Sequence, residues 1–175
     1  DNYISEWIKI IENMLKKYKN RKIVLLAHVL HPKEVDDRKV ISRLCDRIKN
    51  NRLISIPDEM LASKARFILG NGYLTLTGRM HAAISTFKMG KPALSLSYSI
   101  KYKGIIGKDL GMPELIIEAK GDSQWGNGKM ANLIKDKLDY IENNYAGLIG
   151  LIEEKTDSLK KKAIKQIDSI AALNA

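Results

Sequence analysis

Three short stretches of the chain bring together side chains that bind anions and move protons. They are His28-Val-Leu-His31-Pro32, Thr77-Gly78-Arg79-Met80-His81 and Tyr98-Ser99-Ile100-Lys101-Tyr102-Lys103-Gly104. Arginine offers a planar bidentate fork to a phosphate or carboxylate, and lysine offers a point charge. Histidine is the side-chain type that exchanges a proton near neutral pH. The set therefore suits a small anionic ligand, and these stretches lack the acidic pair that hydrolytic general acid/base chemistry would use. Arg79 and His81 stand out, because a Gly-Arg-x-His turn entering a helix after a strand is where such a site forms. His28 competes with the plainer role of a hydrogen-bonded histidine at a strand end. Lys101 and Lys103, taken alone, read first as solvated lysines. The spacing of His28 and His31 lacks a third ligand, so no metal site is expected. Cys45 lies on an apolar helix face and reads as core, not as a nucleophile. Gly70-x-Gly72 precedes a strand instead of following one, the wrong order for a dinucleotide fingerprint.

The elements that must position these residues alternate. Ile4, Trp7, Ile8, Ile11, Met14, Leu15 and Tyr18 recur at helical spacing, with Lys16, Lys17 and Lys19 toward the end of that helix. The apolar run from Lys22 to Leu30 suits a strand buried on both faces of a parallel sheet, ended by Pro32. Asp36 or Asp37 can cap a helix whose apolar face is Val40, Ile41, Leu44, Cys45 and Ile48. Residues 52–57 read as a second strand, and a helix capped by Asp58 runs to about Leu69. Residues 73–77 form a third strand, followed by a helix from about Arg79 to Met89 that Gly90-Lys91-Pro92 breaks. Residues 93–97 are a fourth strand, then come a loop and the short apolar run at 115–118. Repeated β-α-β implies right-handed crossovers, so the expected fold is α/β: a Rossmann-like open parallel sheet with helices on both faces. In such sheets ligands gather at the C-terminal strand ends, which is where the three stretches lie. From Asn127 the pattern is wholly helical, with a break expected at Gly147 and Gly150 and a solvated or interacting arm over 153–165. The expected organisation is an N-terminal amphipathic helix over 1–20, a Rossmann-like domain over 21–126 and C-terminal helices over 127–175.

Composition bounds the function. The chain has 175 residues, 45% of them apolar and 29% charged, which is the balance of a folded domain. A single cysteine excludes an intramolecular disulfide framework and a multi-cysteine zinc site, and it fits a reducing compartment. No run approaches the length of a membrane span, and no signal-peptide layout is visible, so a cytoplasmic protein is expected. The net charge of +10 invites a nucleic-acid reading. Its distribution argues against one: residues 1–100 carry 18 Lys and Arg against 9 Asp and Glu, interleaved along helical patterns. Only 6% of residues are aromatic, few for a base-stacking platform. No nucleic acid is expected, and a non-catalytic basic module rests on charge alone.

From Thr77 to Lys101 the chain reads Thr-Gly-Arg-Met-His-Ala-Ala-Ile-Ser-Thr-Phe-Lys-Met-Gly-Lys-Pro-Ala-Leu-Ser-Leu-Ser-Tyr-Ser-Ile-Lys, and it continues to Gly104 and Asp109-Leu-Gly-Met-Pro113. This segment resembles the polysaccharide pyruvyl transferase family. An Arg-hydrophobic-His at a helix start, a Gly-x-Pro before the next strand, a Tyr-x-x-Lys, a nearby Gly and a Leu-Gly stand in order over about forty residues. Met80 stands where many members have Leu, a mild apolar change. The resemblance implies two facing Rossmann-like domains in a glycosyltransferase-B-type arrangement, with this chain as the C-terminal, donor-binding one and an N-terminal domain missing. It implies transfer of pyruvate from phosphoenolpyruvate, the co-substrate, to a sugar of a cell-surface polysaccharide precursor as a ketal, with no cofactor. A lipid-linked sugar acceptor would place the enzyme at the inner face of the membrane. By position, Arg79 would clamp the donor's phosphate or carboxylate, and His81 would be the proton donor. Lys101 would add charge, Tyr98 would shape the pocket, and His28 would line the same site. The competing reading within this architecture is a nucleotide-sugar-dependent glycosyltransferase or UDP-sugar epimerase. It would need a carboxylate for the ribose, for which only Glu114 and Glu118 are placed.

Overall fold

A computed structural model describes residues 2–172. Among the described residues six α-helices and five short strands follow one another: α1 (Asn2–Lys17), β1 (Ile23–Leu26), α2 (Asp37–Arg47), β2 (Leu53–Ile56), α3 (Ala62–Gly70), β3 (Thr75–Thr77), α4 (Met80–Lys88), β4 (Ala93–Ser97), β5 (Ile116–Glu118), α5 (Lys129–Asn143) and α6 (Tyr145–Ala172). The fold is α/β with parallel strand pairing throughout, as the alternation predicts. The single open sheet expected from the sequence is replaced by two hydrogen-bonded sets, β1-β2 and β3-β4-β5. The chain packs as two compact units, residues 1–65 with 119–139 and residues 66–118 with 140–175, so the expected domain over 21–126 contributes to both.

In the first unit, α1 and α2 bury one apolar cluster. Ile4, Ile11 and Leu15 of α1 meet Leu44 and Ile48, and Ile23, Leu25 and Leu53 of the strands pack against them. Only one face of this sheet is needed for that packing, which is why Val24 is 43% exposed. The expectation of a first strand buried on both faces is thus corrected: a two-stranded sheet has one covered face. Helix α2 is capped by Asp36, whose carboxylate accepts the Arg38 N–H at 2.9 Å. The Arg38 guanidinium also grips it, through Nη2 at 2.7 Å, and holds that carboxyl at about 2. Asp37 faces the preceding loop instead. Its Oδ2 accepts the backbone N–H groups of His28 and Val29 at 3.0 and 2.8 Å, fixing the segment after β1.

Glu6 is 1% exposed although it is charged. Its two oxygens accept the N–H groups of Gly128 and Ala131, at 2.7 and 3.1 Å, at the start of α5. A carboxylate on α1 therefore supplies the N-terminal cap of a helix more than a hundred residues later. Burial pushes the Glu6 carboxyl up, but these donors and the Lys9 ammonium together bring it below its ordinary value.

In the second unit, β4 is the central strand and is buried along its whole length. Helix α4 lies against β3 and β4. It buries Ala82, Ala83 and Phe87, and its buried Thr86 hydroxyl bridges to Thr75 Oγ1 at 2.9 Å. Gly90, at φ +69°, ends the helix in the left-handed region, where a side chain would be strained. The stretch after β4, expected as a loop, instead coils into a π-helical segment, Lys103–Asp109, with Ile106 buried. The expected break at Gly147 and Gly150 is also displaced: both glycines lie inside α6, and the chain turns at Asn144, between α5 and α6.

Candidate functional site

The three-stranded sheet brings the C-terminal ends of its strands into register. Thr77 pairs with Ser95 and Ser97 pairs with Glu118, so the segments leaving β3, β4 and β5 emerge along one edge. The residues there are Arg79 and His81 after β3, Tyr98 and Lys101 after β4, and Glu118 at the end of β5. This is the edge at which open parallel sheets bind ligands.

The turn carrying Arg79 is built locally. Thr77 Oγ1 accepts the Arg79 N–H at 2.9 Å, a side-chain turn that a threonine two residues earlier can make. Arg79 has extended backbone, φ −104° and ψ 111°, and is the N-cap of α4. Its carbonyl accepts the N–H groups of Ala82 and Ala83 at 3.0 and 3.1 Å. His81 lies in the first helical turn with its side chain exposed. A guanidinium and an imidazole thus share the positive end of a nine-residue helix, a place where an anion is favoured electrostatically.

Tyr102 holds this turn from behind and does not stand out in the sequence. It is 1% exposed, and its hydroxyl donates to the Gly78 carbonyl at 2.6 Å. The Met80 N–H lies against the phenol oxygen as a donor. Burial, reinforced by Tyr98, pushes the Tyr102 hydroxyl up to about 12, against smaller opposing effects of Met80 and the nearby Arg79 charge. The phenol is therefore a neutral clamp across the Gly78-Arg79 turn. Tyr98 packs edge-on against it, with ring centroids 5.5 Å apart, and is itself 55% exposed. A second tyrosine four residues after Tyr98 is the only trace of this arrangement in the sequence, and nothing in one dimension shows it reaching back 24 residues.

The remaining candidates fall as follows. Lys101 is exposed on the helical turn leading into the π-helical segment. Lys103 pairs with Glu118 at 3.3 Å, which ties the segment after β4 to the end of β5. His28 and His31 are both exposed, in the loop of the first unit that Asp37 fixes. His28 thus belongs to a different compact unit from Arg79, His81, Tyr98 and Lys101. Among the described residues no group of three or more His, Cys, Asp or Glu could hold a metal ion.

A cavity of about 370 Å³ in the first unit is lined by Lys16, Arg47, Lys49 and Arg52 among others. Two of these cations serve helix ends. Arg52 donates to the carbonyls of Leu15 and Tyr18 at 2.7 and 2.6 Å, capping the end of α1, and Lys49 donates to the Cys45 carbonyl.

A model of the polysaccharide pyruvyl transferase family matches residues 1–100. The chain belongs to that family. The matched stretch contains His28, Arg79, His81 and Tyr98 and stops one residue short of Lys101. This family member is 28% identical over 112 residues to the amylovoran biosynthesis protein AmsJ of Erwinia amylovora. The alignment covers 63% of the chain and 27% of that relative, so the chain spans only part of the length of the curated protein it matches. No solved structure matches it.

Proposed function

We propose that this chain carries the donor-binding part of a polysaccharide pyruvyl transferase, one that moves pyruvate from phosphoenolpyruvate onto two hydroxyls of a sugar. The observation that supports this most is the placement of Arg79 and His81 on one clamped turn at the N-terminal end of α4, beside Tyr98 and Lys101 at the end of β4. Phosphoenolpyruvate carries a phosphate and a carboxylate on one carbon of an enol, so it needs clustered cations and a nearby acid. Protonation of its methylene carbon leaves an oxocarbenium-like centre at the adjacent carbon, which one sugar hydroxyl attacks. Loss of phosphate and attack by the second hydroxyl complete the ketal. The two hydroxyl protons replace the one delivered to the methylene carbon and accompany the departing phosphate.

In this scheme the Arg79 guanidinium clamps the phosphate or the carboxylate with its paired N–H groups. His81 donates the proton to the methylene carbon, Lys101 offsets negative charge, and Tyr98 bounds the donor. Tyr102 keeps Arg79 aimed, a positioning role. The acceptor is a sugar of a polysaccharide precursor, in keeping with the biosynthetic role that the Erwinia relative's name carries. Its binding residues belong to the part of the enzyme that this chain does not span. The reaction runs in the cytoplasm, at the inner face of the membrane.

The test is phosphate release in the full-length enzyme that contains this segment. His81→Ala should lower kcat by about a hundredfold or more, the usual contribution of a positioned proton donor, while leaving phosphoenolpyruvate affinity within a few-fold. Unchanged turnover would remove His81 from the chemistry.

A further inference from the structure

The last fourteen described residues, 159–172, are helical and leave the packed part of the second unit behind. Helix α6 is anchored by Leu148 and Ile152, which are buried, and from Lys160 to Ala172 every residue is exposed. The exposed part is nonetheless not uniformly polar. At 100° per residue, Leu159, Ala163, Ile164, Ile167, Ile170 and Ala171 fall within one arc of roughly 140°, interrupted only by Lys160 in its first turn. Ile164, Ile167 and Ile170 are 48%, 65% and 61% exposed. The rest of the circumference is mainly basic and polar. Lys161, Lys162 and Lys165 stand there against a single acid, Asp168.

We propose that this half of α6 docks in the plane of an anionic lipid surface. Isoleucines on one face, with lysines around the other and at the near end, are the pattern of a helix that sinks its apolar side to the headgroup boundary while its ammonium groups meet lipid phosphates. The segment is about 21 Å long at 1.5 Å per residue, too short and too charged to cross. No helix among the described residues is long and apolar enough to span a membrane. Pairing with a second copy is disfavoured by the same charges. A parallel pair sets lysine cluster on lysine cluster, and an antiparallel pair centred on residues 159–172 offers each cluster only Asp168. The proposal stands apart from the donor chemistry, because it uses no residue of the strand-end site.

Co-sedimentation of the chain with vesicles of phosphatidylglycerol and phosphatidylcholine tests it. The chain should partition onto them at least tenfold more strongly than onto pure phosphatidylcholine, and salt should weaken the binding. Replacing Ile164, Ile167 and Ile170 with Gln, or separately Lys160, Lys161, Lys162 and Lys165 with Gln, should each lower partitioning at least tenfold with helicity retained by circular dichroism. Two results would overturn the proposal. One is partitioning that is absent in the unaltered chain or equal in all three proteins. The other is a concentration-dependent dimer, seen by sedimentation, that the isoleucine variant abolishes without any vesicle binding.

Discussion

The Gly78-Arg79 turn is held by two oxygens from outside it, Thr77 Oγ1 and the Tyr102 hydroxyl. Tyr102→Phe deletes one atom and leaves the Gly78 carbonyl without that buried partner, at a cost of about 1–3 kcal/mol. Urea unfolding should show this as a lower midpoint. Because Tyr102 lies above its ordinary 10.0, at about 12, its contribution is intact below pH 10 and is lost as pH rises through 12. The Phe variant should therefore lose that part of the alkaline sensitivity. At this scale the sequence is informative about residue types and silent about support. Arg79 and His81 announce themselves by standing between a strand and a helix. Tyr102 looks like one more aromatic residue until its hydroxyl is seen under a turn formed 24 residues earlier, and Lys103, exposed as its type suggests, gives no sign in the sequence of Glu118 beside it.

Among the elements, the strand and helix order can be read from hydrophobic runs and caps, because each is a local signal. Asp36 caps α2 as its position suggests, and Gly90 ends α4. Features that depend on distant partners cannot be read. The division of five parallel strands into two sheets turns on which edges hydrogen-bond, and the exposure of Val24 follows from it. Gly147 and Gly150, ordinary punctuation in a sequence, are carried inside α6 by the apolar residues beside them, Leu148 and Ile152. Glu6 is the sharpest case, a buried acid on α1 that serves α5. Glu6→Ala should remove two charge-assisted bonds from backbone N–H groups together with the Lys9 ion pair and destabilise the first unit by about 2 kcal/mol, measurable by urea unfolding. With its carboxyl held below the ordinary value, the Glu6 contribution is present above the unfolded value of 4.5 and is lost as pH falls through the lowered one. The Ala variant should accordingly show a flatter acid limb, and an unchanged midpoint would mean that water replaces the carboxylate without loss.

For the molecule as a whole, membership of the polysaccharide pyruvyl transferase family comes with a chain that aligns to 27% of its Erwinia relative. On the proposed reading donor binding and turnover would be separable, because the strand-end site lies within one compact unit whereas a ketal-forming step would also need an acceptor held in reach. That separation makes donor recognition testable on this chain directly. The measurement is calorimetric titration with phosphoenolpyruvate and, in parallel, with UDP, on the unaltered chain and on Arg79→Ala. If the strand-end site is the donor site, phosphoenolpyruvate gives heat, UDP gives none, and affinity is about a hundredfold weaker in the variant, as expected for losing a bidentate charge-assisted contact. Binding of UDP in place of phosphoenolpyruvate, or phosphoenolpyruvate binding that Arg79→Ala leaves unchanged, would contradict it.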